Sequence, residues 1–509
     1  MTRAARRPGL QASAIVPLAC LPRSRLLPLL PLGLALAAAS GVGSAAETLH
    51  DCRVAGIKNS VRCGTVERVL DPARPDGPRI SVHYVVVPAL ARRRLPDPVF
   101  LLAGGPGQSA ISLAGPSLGL LQRLNNRRDL VFVDQRGTGL SAPLYCDEAR
   151  RAPLAEQTDP ERQVQRLQVC QRQLQSLPYG DLRLFTTPLA MQDLDAVRDE
   201  LGAERINLVA ASYGTRAALD YQRQFPTRVR RMALDGVAPA DMALPASSGL
   251  DAQAALDALF AHCVEEPGCA VAHPHLRRDW DNLLASLPRR VQVANPLTGE
   301  IEALTVTRDM LLATVRAPLY SPALAAALPV AIAQAAQGRF TALLGLNSIQ
   351  GARRSTRVAE GMHFSVLCAE DFPRLGAPQP VARDFGDGAL RNVKRICADW
   401  PRGELAAAFY NTHPSPVPVL LASGGLDPAT PPRHAERVAA ALGANALHII
   451  VPHAGHGVFS IGCMRDVLYR FISAETDAGA LAVDASCVVS IPRPTPFQPT
   501  SPMLAVRPG

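Results

Sequence analysis

Lysine is nearly missing from this 509-residue chain, with Lys58 and Lys394 the only two. The scarcity reflects genome composition more than function, and it leaves positive charge to arginine, which never gathers into a basic run. The formal net charge is +9, yet Arg3, Arg6, Arg7, Arg23 and Arg25 lie in the first 46 residues, where there is no acid. Without those five the balance falls to about +4, which excludes a nucleic-acid-binding face. No Cys-x-x-Cys spacing of the zinc-binding kind occurs. Past the first 46 residues no apolar run is a convincing membrane span; "ALAAALPVAIAQAA" contains Pro329 and reads as a buried helix. No internal repeat is evident.

What is present starts with an export signal. Basic residues precede "LLPLLPLGLALAAAS", and "SAA" before Glu47 fits a small-residue cleavage site, so residues 1–46 read as a signal peptide. Its front end is unusually long for such a signal. Cys20 follows "PLA", a poor lipid-attachment context, and the residues around Arg6-Arg7 match a twin-arginine signal poorly. Loss of Cys20 with the signal leaves ten of the 11 cysteines, in near pairs: 52 with 63, 146 with 170, 263 with 269, 368 with 397 and 463 with 487. In an oxidising compartment such cysteines form disulfides. Ten cysteines allow about 945 connectivities; sequential pairing is expected, because short loops close most easily.

Along the chain, short apolar runs alternate with helical stretches. "RISVHYVVVP", "DPVFLLAGGPG", "RRDLVFVDQRGTGLS" and "INLVA" read as strands, and "TTPLAMQDLDAVRDELG" as an amphipathic helix between a threonine and Gly202. This pattern argues for a mostly parallel sheet covered on both faces. It breaks near Pro239, and strand signals return only at "VPVLLASGGLDPATPP" and "ALHIIVPHAGHG". The expected organisation is an α/β core in two parts, 47–240 and 414–509, interrupted by a helical insertion over 241–413. The proline-rich tail "IPRPTPFQPTSPMLAVRPG" reads as irregular.

Chemistry centres on "RINLVAASYGTRAALDY". Ser212 sits between a strand and a helix, in a context close to Gly-x-Ser-x-Gly with Ala210 in place of the first glycine. Such an elbow strains the backbone and exposes the serine oxygen, so the residues around it must be small. An acyl-transfer serine also needs a base, a group that orients the base, and donors for the oxyanion. Asp427 and His456 each follow an apolar strand, where a parallel sheet places reactive groups. His453 competes with His456, which is favoured because its flanking glycines allow a close approach. For the oxyanion, the N–H of Tyr213 and that of Gly105 are expected, since Pro106 has none. Asp134 and Arg136 in "DQRGTGLS" read as a buried ion pair tying loops together.

Taken together, "GGPGQS", "DQRGTGLS", "ASYGT", "GGLDPATP" and "GHG" resemble the secreted tripeptidyl aminopeptidase group, serine exopeptidases related to prolyl aminopeptidases. The resemblance spans roughly Cys52 to Cys487. It implies an α/β-hydrolase fold with a helical cap, Ser212, Asp427 and His456 as the triad, Gly105 and Tyr213 as the oxyanion hole, and no metal or organic cofactor. It also implies peptide substrates with a free N-terminus. Ala210 departs from the glycine usual in that group.

An aminopeptidase must hold the substrate's ammonium at a fixed distance from the serine. The adjacent acids Glu370 and Asp371 in "CAED", tethered by Cys368, are expected to do so, and that element resembles one in the aminopeptidase group; a solvated acidic pair at a helix end is the plainer reading. Two other functions stay open at this point: an esterase or lipase on the same machinery, which needs no ammonium site, and a binding protein on a dead hydrolase scaffold, which has no reason to keep Ser, Asp and His together.

Overall fold

The computed structural model describes residues 49–147, 152–351, 357–375 and 380–498. The expected signal peptide, 1–46, lies outside these residues. Among the described residues eleven strands are formed: β1 (His50–Cys52), β2 (Val61–Val69), β3 (Arg79–Val87), β4 (Val99–Leu102), β5 (Leu130–Val133), β6 (Ile206–Ala211), β7 (Val229–Asp235), β8 (Arg289–Ala294), β9 (Ile301–Val306), β10 (Val419–Gly424) and β11 (Ala446–Val451). Nine of them make one sheet in the order β1-β2-β3-β5-β4-β6-β7-β10-β11. β1, β2 and β3 run antiparallel to their neighbours, and from β5 to β11 every pairing is parallel.

Period-two alternation builds the two sides of this sheet. Val82, Tyr84, Phe100, Leu102, Leu208 and Leu234 project into one apolar layer, with Leu194, Ala217 and Val438 from covering helices. Val85, Leu101, Phe132, Val209 and Ala422 project into the other, against Leu121, Leu468 and Phe471. Both sides are buried, so the central strands read as continuous apolar runs. The sheet is interrupted between β7 and β10. A third apolar cluster there, which includes Leu256, Trp280, Leu311, Val315 and Ile332, gives the intervening helices a core of their own.

That interruption is not purely helical, as expected from the sequence, but carries the antiparallel pair β8–β9. Its turn is "NPLTGE": the Asn295 carboxamide accepts N–H groups of Leu297 and Thr298, and Gly299 takes φ +76°. "ALAAALPVAIAQAA" is two helices, Pro322–Ala325 and Leu328–Ala336, with Pro329 in the first turn of the second, where its missing N–H costs nothing. The amphipathic helix forms at Thr187–Glu200, but Thr186 makes no side-chain cap; the Glu370 carboxylate accepts the Thr187 N–H at 2.7 Å instead. Phe497, in the tail, donates its N–H to the Ala326 carbonyl at 2.7 Å. Among the described residues no helix is long and apolar enough to cross a membrane.

The ten described cysteines form five disulfides in sequential order: Cys52–Cys63, Cys146–Cys170, Cys263–Cys269, Cys368–Cys397 and Cys463–Cys487. Thiol titration of the denatured, unreduced protein lacking residues 1–46 is therefore expected to find few or no free thiols. Cys146–Cys170 closes a separation of 24 residues. Its replacement by two serines should lower unfolding free energy by about 3–4 kcal/mol in the chain-entropy model; a loss below ~1 kcal/mol in urea titration would contradict that constraint.

Candidate active site

Ser212 follows β6 directly and precedes the helix Tyr213–Gln224, with φ 56° and ψ −127°. A non-glycine residue in this region costs about 1–3 kcal/mol and persists only where its surroundings enforce it. Three hydrogen bonds do so here. The Ser212 N–H donates to the Asp235 carbonyl at 2.8 Å, and the Ser212 carbonyl accepts from the Thr215 N–H at 2.9 Å and the Thr215 hydroxyl at 2.7 Å. Gly214 is sterically required, since a Cβ there would stand 2.4 Å from the Leu102 carbonyl oxygen of β4. Ala210, by contrast, lies inside β6 between Leu102 and Leu234 and is buried with its methyl accommodated. The close approach thus comes from the neighbouring strand, which explains why alanine serves at 210 but not at 214.

Asp427 and His456 are brought together from the loops after β10 and β11. The Asp427 Oδ2 lies 2.8 Å from His456 Nδ1, and the Thr430 hydroxyl bridges the two, 2.8 Å from the carboxylate and 3.1 Å from the ring nitrogen. The N–H groups of Ala429 and Thr430 donate to Asp427 Oδ1. Burial opposes the charge on Asp427, but His456 and these donors outweigh it and hold the carboxyl below its usual range. On His456, burial alone would lower the pKa; the charge and hydrogen bond of Asp427 outweigh it and raise it. His453 is turned elsewhere, with Nδ1 3.1 Å from the Ile491 carbonyl.

Asp235, which the sequence reading passed over, links the serine turn to the histidine loop. While its carbonyl takes the Ser212 N–H, its carboxylate accepts the N–H of Val458 at 2.8 Å and of Phe459 at 2.9 Å, just beyond His456. Burial pushes its pKa up to about 6 against these two donors. The next residue, Gly236, touches the imidazole: a Cβ there would lie 3.3 Å from His456 Cε1. An aspartate ending an apolar strand, "RRMALDG", was the available signal.

The loop 104–107 lies against the serine. A Cβ on Gly104 would stand 3.1 Å from Ser212 Cβ, and Gly105 takes φ +108°. Tyr213 opens its helix, so its N–H has no acceptor within that helix. The loop is also clamped from the interrupting segment: the Ala359 N–H donates to the Gly107 carbonyl at 2.8 Å, and His363 Nδ1 lies 3.1 Å from the Pro106 carbonyl. Arg136 pairs with Asp193 at 2.7 Å rather than with Asp134, because Asp134 is committed to the Ser109 hydroxyl and the N–H groups of Ile111 and Leu140.

Glu370 and Asp371 do not meet the expectation of an ammonium site. Both are fully buried in a turn of π-helix, Leu367–Asp371, and all four carboxylate oxygens are engaged. Arg216 reaches Glu370 Oε2 at 3.2 Å and both Asp371 oxygens at 3.1 and 3.3 Å; the Thr187 N–H donates to Glu370 Oε1, and the Leu244 N–H donates to Asp371 Oδ1 as well. One guanidinium facing two carboxylates leaves an excess negative charge, and burial accordingly pushes Glu370 up to about 7. The pair anchors the interrupting segment to the serine's helix.

Among known proteins, serine protease Hip1 of Mycobacterium tuberculosis is 27% identical over 417 residues, covering 74% of this chain and 78% of that protein. Tripeptidyl aminopeptidase of Streptomyces lividans is 28% identical over 226 residues, 40% of each chain. The solved structure of proline iminopeptidase from Mycobacterium smegmatis aligns with 83% of this chain and all of its own at 15% identity and a TM-score of 0.35. A family model described as the alpha/beta hydrolase fold matches residues 97–462. Because that match runs from just before β4 past His456 and takes in Ser212, Asp235 and Asp427, the chain belongs to the α/β-hydrolase fold family.

Proposed function

We propose that this protein is an exported serine exopeptidase that hydrolyses peptide bonds near the free N-terminus of short peptides, with Ser212, His456 and Asp427 as its triad. The observation that carries this reading is the 2.8 Å Asp427–His456 contact, with a serine held at φ 56° whose turn Asp235 ties to the histidine loop. His456 takes the Ser212 proton as the oxygen attacks the scissile carbonyl. Asp427 holds the ring through Nδ1 and stabilises its charged form. The N–H groups of Tyr213 and Gly105 receive the oxyanion, which collapses to an acyl-enzyme as His456 protonates the leaving amine. Water, deprotonated by the same histidine, then releases the acyl product. Ser212, His456 and water carry every proton in this route, so it calls for no metal or organic cofactor.

The peptide substrate class is supported by relatives named a serine protease and a tripeptidyl aminopeptidase. Export is supported by five disulfides. Release from the N-terminus is the finer part of the proposal, and its ammonium-holding group lies elsewhere than Glu370 and Asp371. Mass spectrometry of an unbiased peptide pool, with N-acetylated counterparts, tests it directly. Free-amine peptides should shorten from the N-terminus while acetylated ones persist; equal cleavage of both would remove the exopeptidase reading and leave the serine-hydrolase reading standing.

Ser212→Ala is expected to lower turnover by several orders of magnitude, on the order of 10⁶ as in a comparable triad, with the fold intact by circular dichroism. A fluorophosphonate probe should label Ser212 alone. Retention of more than a tenth of the activity would show that the nucleophile is another residue.

The pH profile follows from the electrostatics of His456. Its neutral form is the base, so kcat/KM falls as pH drops through its pKa. With that pKa raised, the acid limb should lie above the ordinary histidine value of 6.5. The Asp235 charge contributes to the raising, so Asp235→Asn should move the limb to lower pH. An unmoved limb would argue against His456 as the base.

A further inference from the structure

A cavity of about 710 Å³ is lined by residues of the interrupting segment. Tyr320 links it to the histidine loop. It lines the cavity, its ring meets the His456 ring edge-on at 5.1 Å, and its carbonyl accepts the His456 N–H at 2.9 Å. Apolar wall is supplied by Leu312, Leu375 and Phe385.

The charges along this wall are unequally matched. Asp309 and Asp387 both line it, and both are paired with Arg391, Asp309 at 3.5 Å and Asp387 more closely. Arg316 and Lys394 line it as well, and neither forms an ion pair with a carboxylate among the described residues. Arg316 stands over the Tyr320 ring, with its guanidinium carbon 5.3 Å from the centroid. Its Nε is buried and has no hydrogen-bond partner among the described residues. A buried donor without an acceptor costs about 1–3 kcal/mol, so a cation held this way needs a reason. Its charge also reaches His456, where it opposes protonation of the ring.

We propose that this cavity is a substrate subsite and that Arg316 holds a carboxylate of the peptide in it. A guanidinium suits that task because its planar fork matches a carboxylate, and the Tyr320 ring holds the fork in place. The carboxylate belongs either to an acidic side chain or to the C-terminus of a short peptide. Tyr320, which lines the cavity and meets the His456 ring, links the subsite to the proposed base. The proposal rests on the reading of Ser212 and His456 as the reacting groups.

Calorimetric binding of peptide twins to the Ser212→Ala protein tests it without requiring turnover. One pair differs only by glutamate against glutamine, and the other by a free against an amidated C-terminus. The carboxylate member of at least one pair should bind tenfold or more tightly, the scale of a charge-assisted contact. The pair that discriminates identifies the source. Adding Arg316→Gln should collapse that ratio towards one, and Arg316→Lys should restore part of it. Equal Kd values within both pairs, or a ratio that survives Arg316→Gln, would overturn the proposal. Failure of the peptidase reading would show separately, as peptides left intact by the wild-type protein whatever their affinity.

Discussion

Asp235 holds the candidate site at one spacing. The proposed reacting groups, Ser212 and His456, come from chain positions more than two hundred residues apart, and nothing local sets their distance. Asp235 ends β7, between the strand that delivers the serine and the strand that delivers Asp427. Its carbonyl takes the serine's N–H, and its carboxylate takes two N–H groups beyond the histidine. The serine turn is strained and the histidine loop is rich in glycine, so both would relax without an external anchor. Placing that anchor in the sheet makes it as rigid as the molecule allows.

The interrupting segment is attached by a second buried electrostatic feature. Arg216 lies on the serine's helix one turn after the elbow, fully buried, and its partners Glu370 and Asp371 come from the segment between β7 and β10. Removing one partner of such a pair leaves an uncompensated charge and typically costs about 3–5 kcal/mol, whereas apolar replacement of all partners can be neutral. The trio therefore commits the segment to one docked position more than it adds stability. With Ala359 on Gly107 and Tyr320 on His456, the segment touches the loops that follow β4, β6 and β11. Those are the loops where a parallel sheet gathers its chemistry.

Much of this was legible in the sequence, for a definable reason. Strand periodicity, glycine turns and a serine between small residues are local signals, and they located β3 to β6, β10 and β11 and singled out Ser212, Asp427 and His456 as candidates. Sequential cysteine pairing was legible because each loop is short. What escaped depended on partners distant in sequence. Glu370 and Asp371 look like free acids until Arg216 is placed beside them, 155 residues away from Asp371. Arg136 stands two residues from Asp134 in sequence, but its partner, Asp193, lies on a helix 57 residues on. The β8–β9 hairpin is a different kind of omission, since the "NPLTGE" turn and the alternation in "RRVQV" were visible and were overridden by the helical character around them.

The treatment of acids in this fold separates anchoring from chemistry. Asp235, Glu370 and Asp371 are buried and receive backbone N–H groups from other segments, so their charge is used to hold loops. Asp427 is equally buried, yet besides two local N–H groups it faces an imidazole that retains some exposure. A carboxylate locked by its own loop keeps a fixed direction, and a ring held by that carboxylate keeps one tautomer, with Nδ1 turned inward and Nε2 left for the proposed proton transfer. The partner of each acid, rather than its burial, therefore decides its role, and only Asp427 among these four is paired with a group that can hand a proton onward.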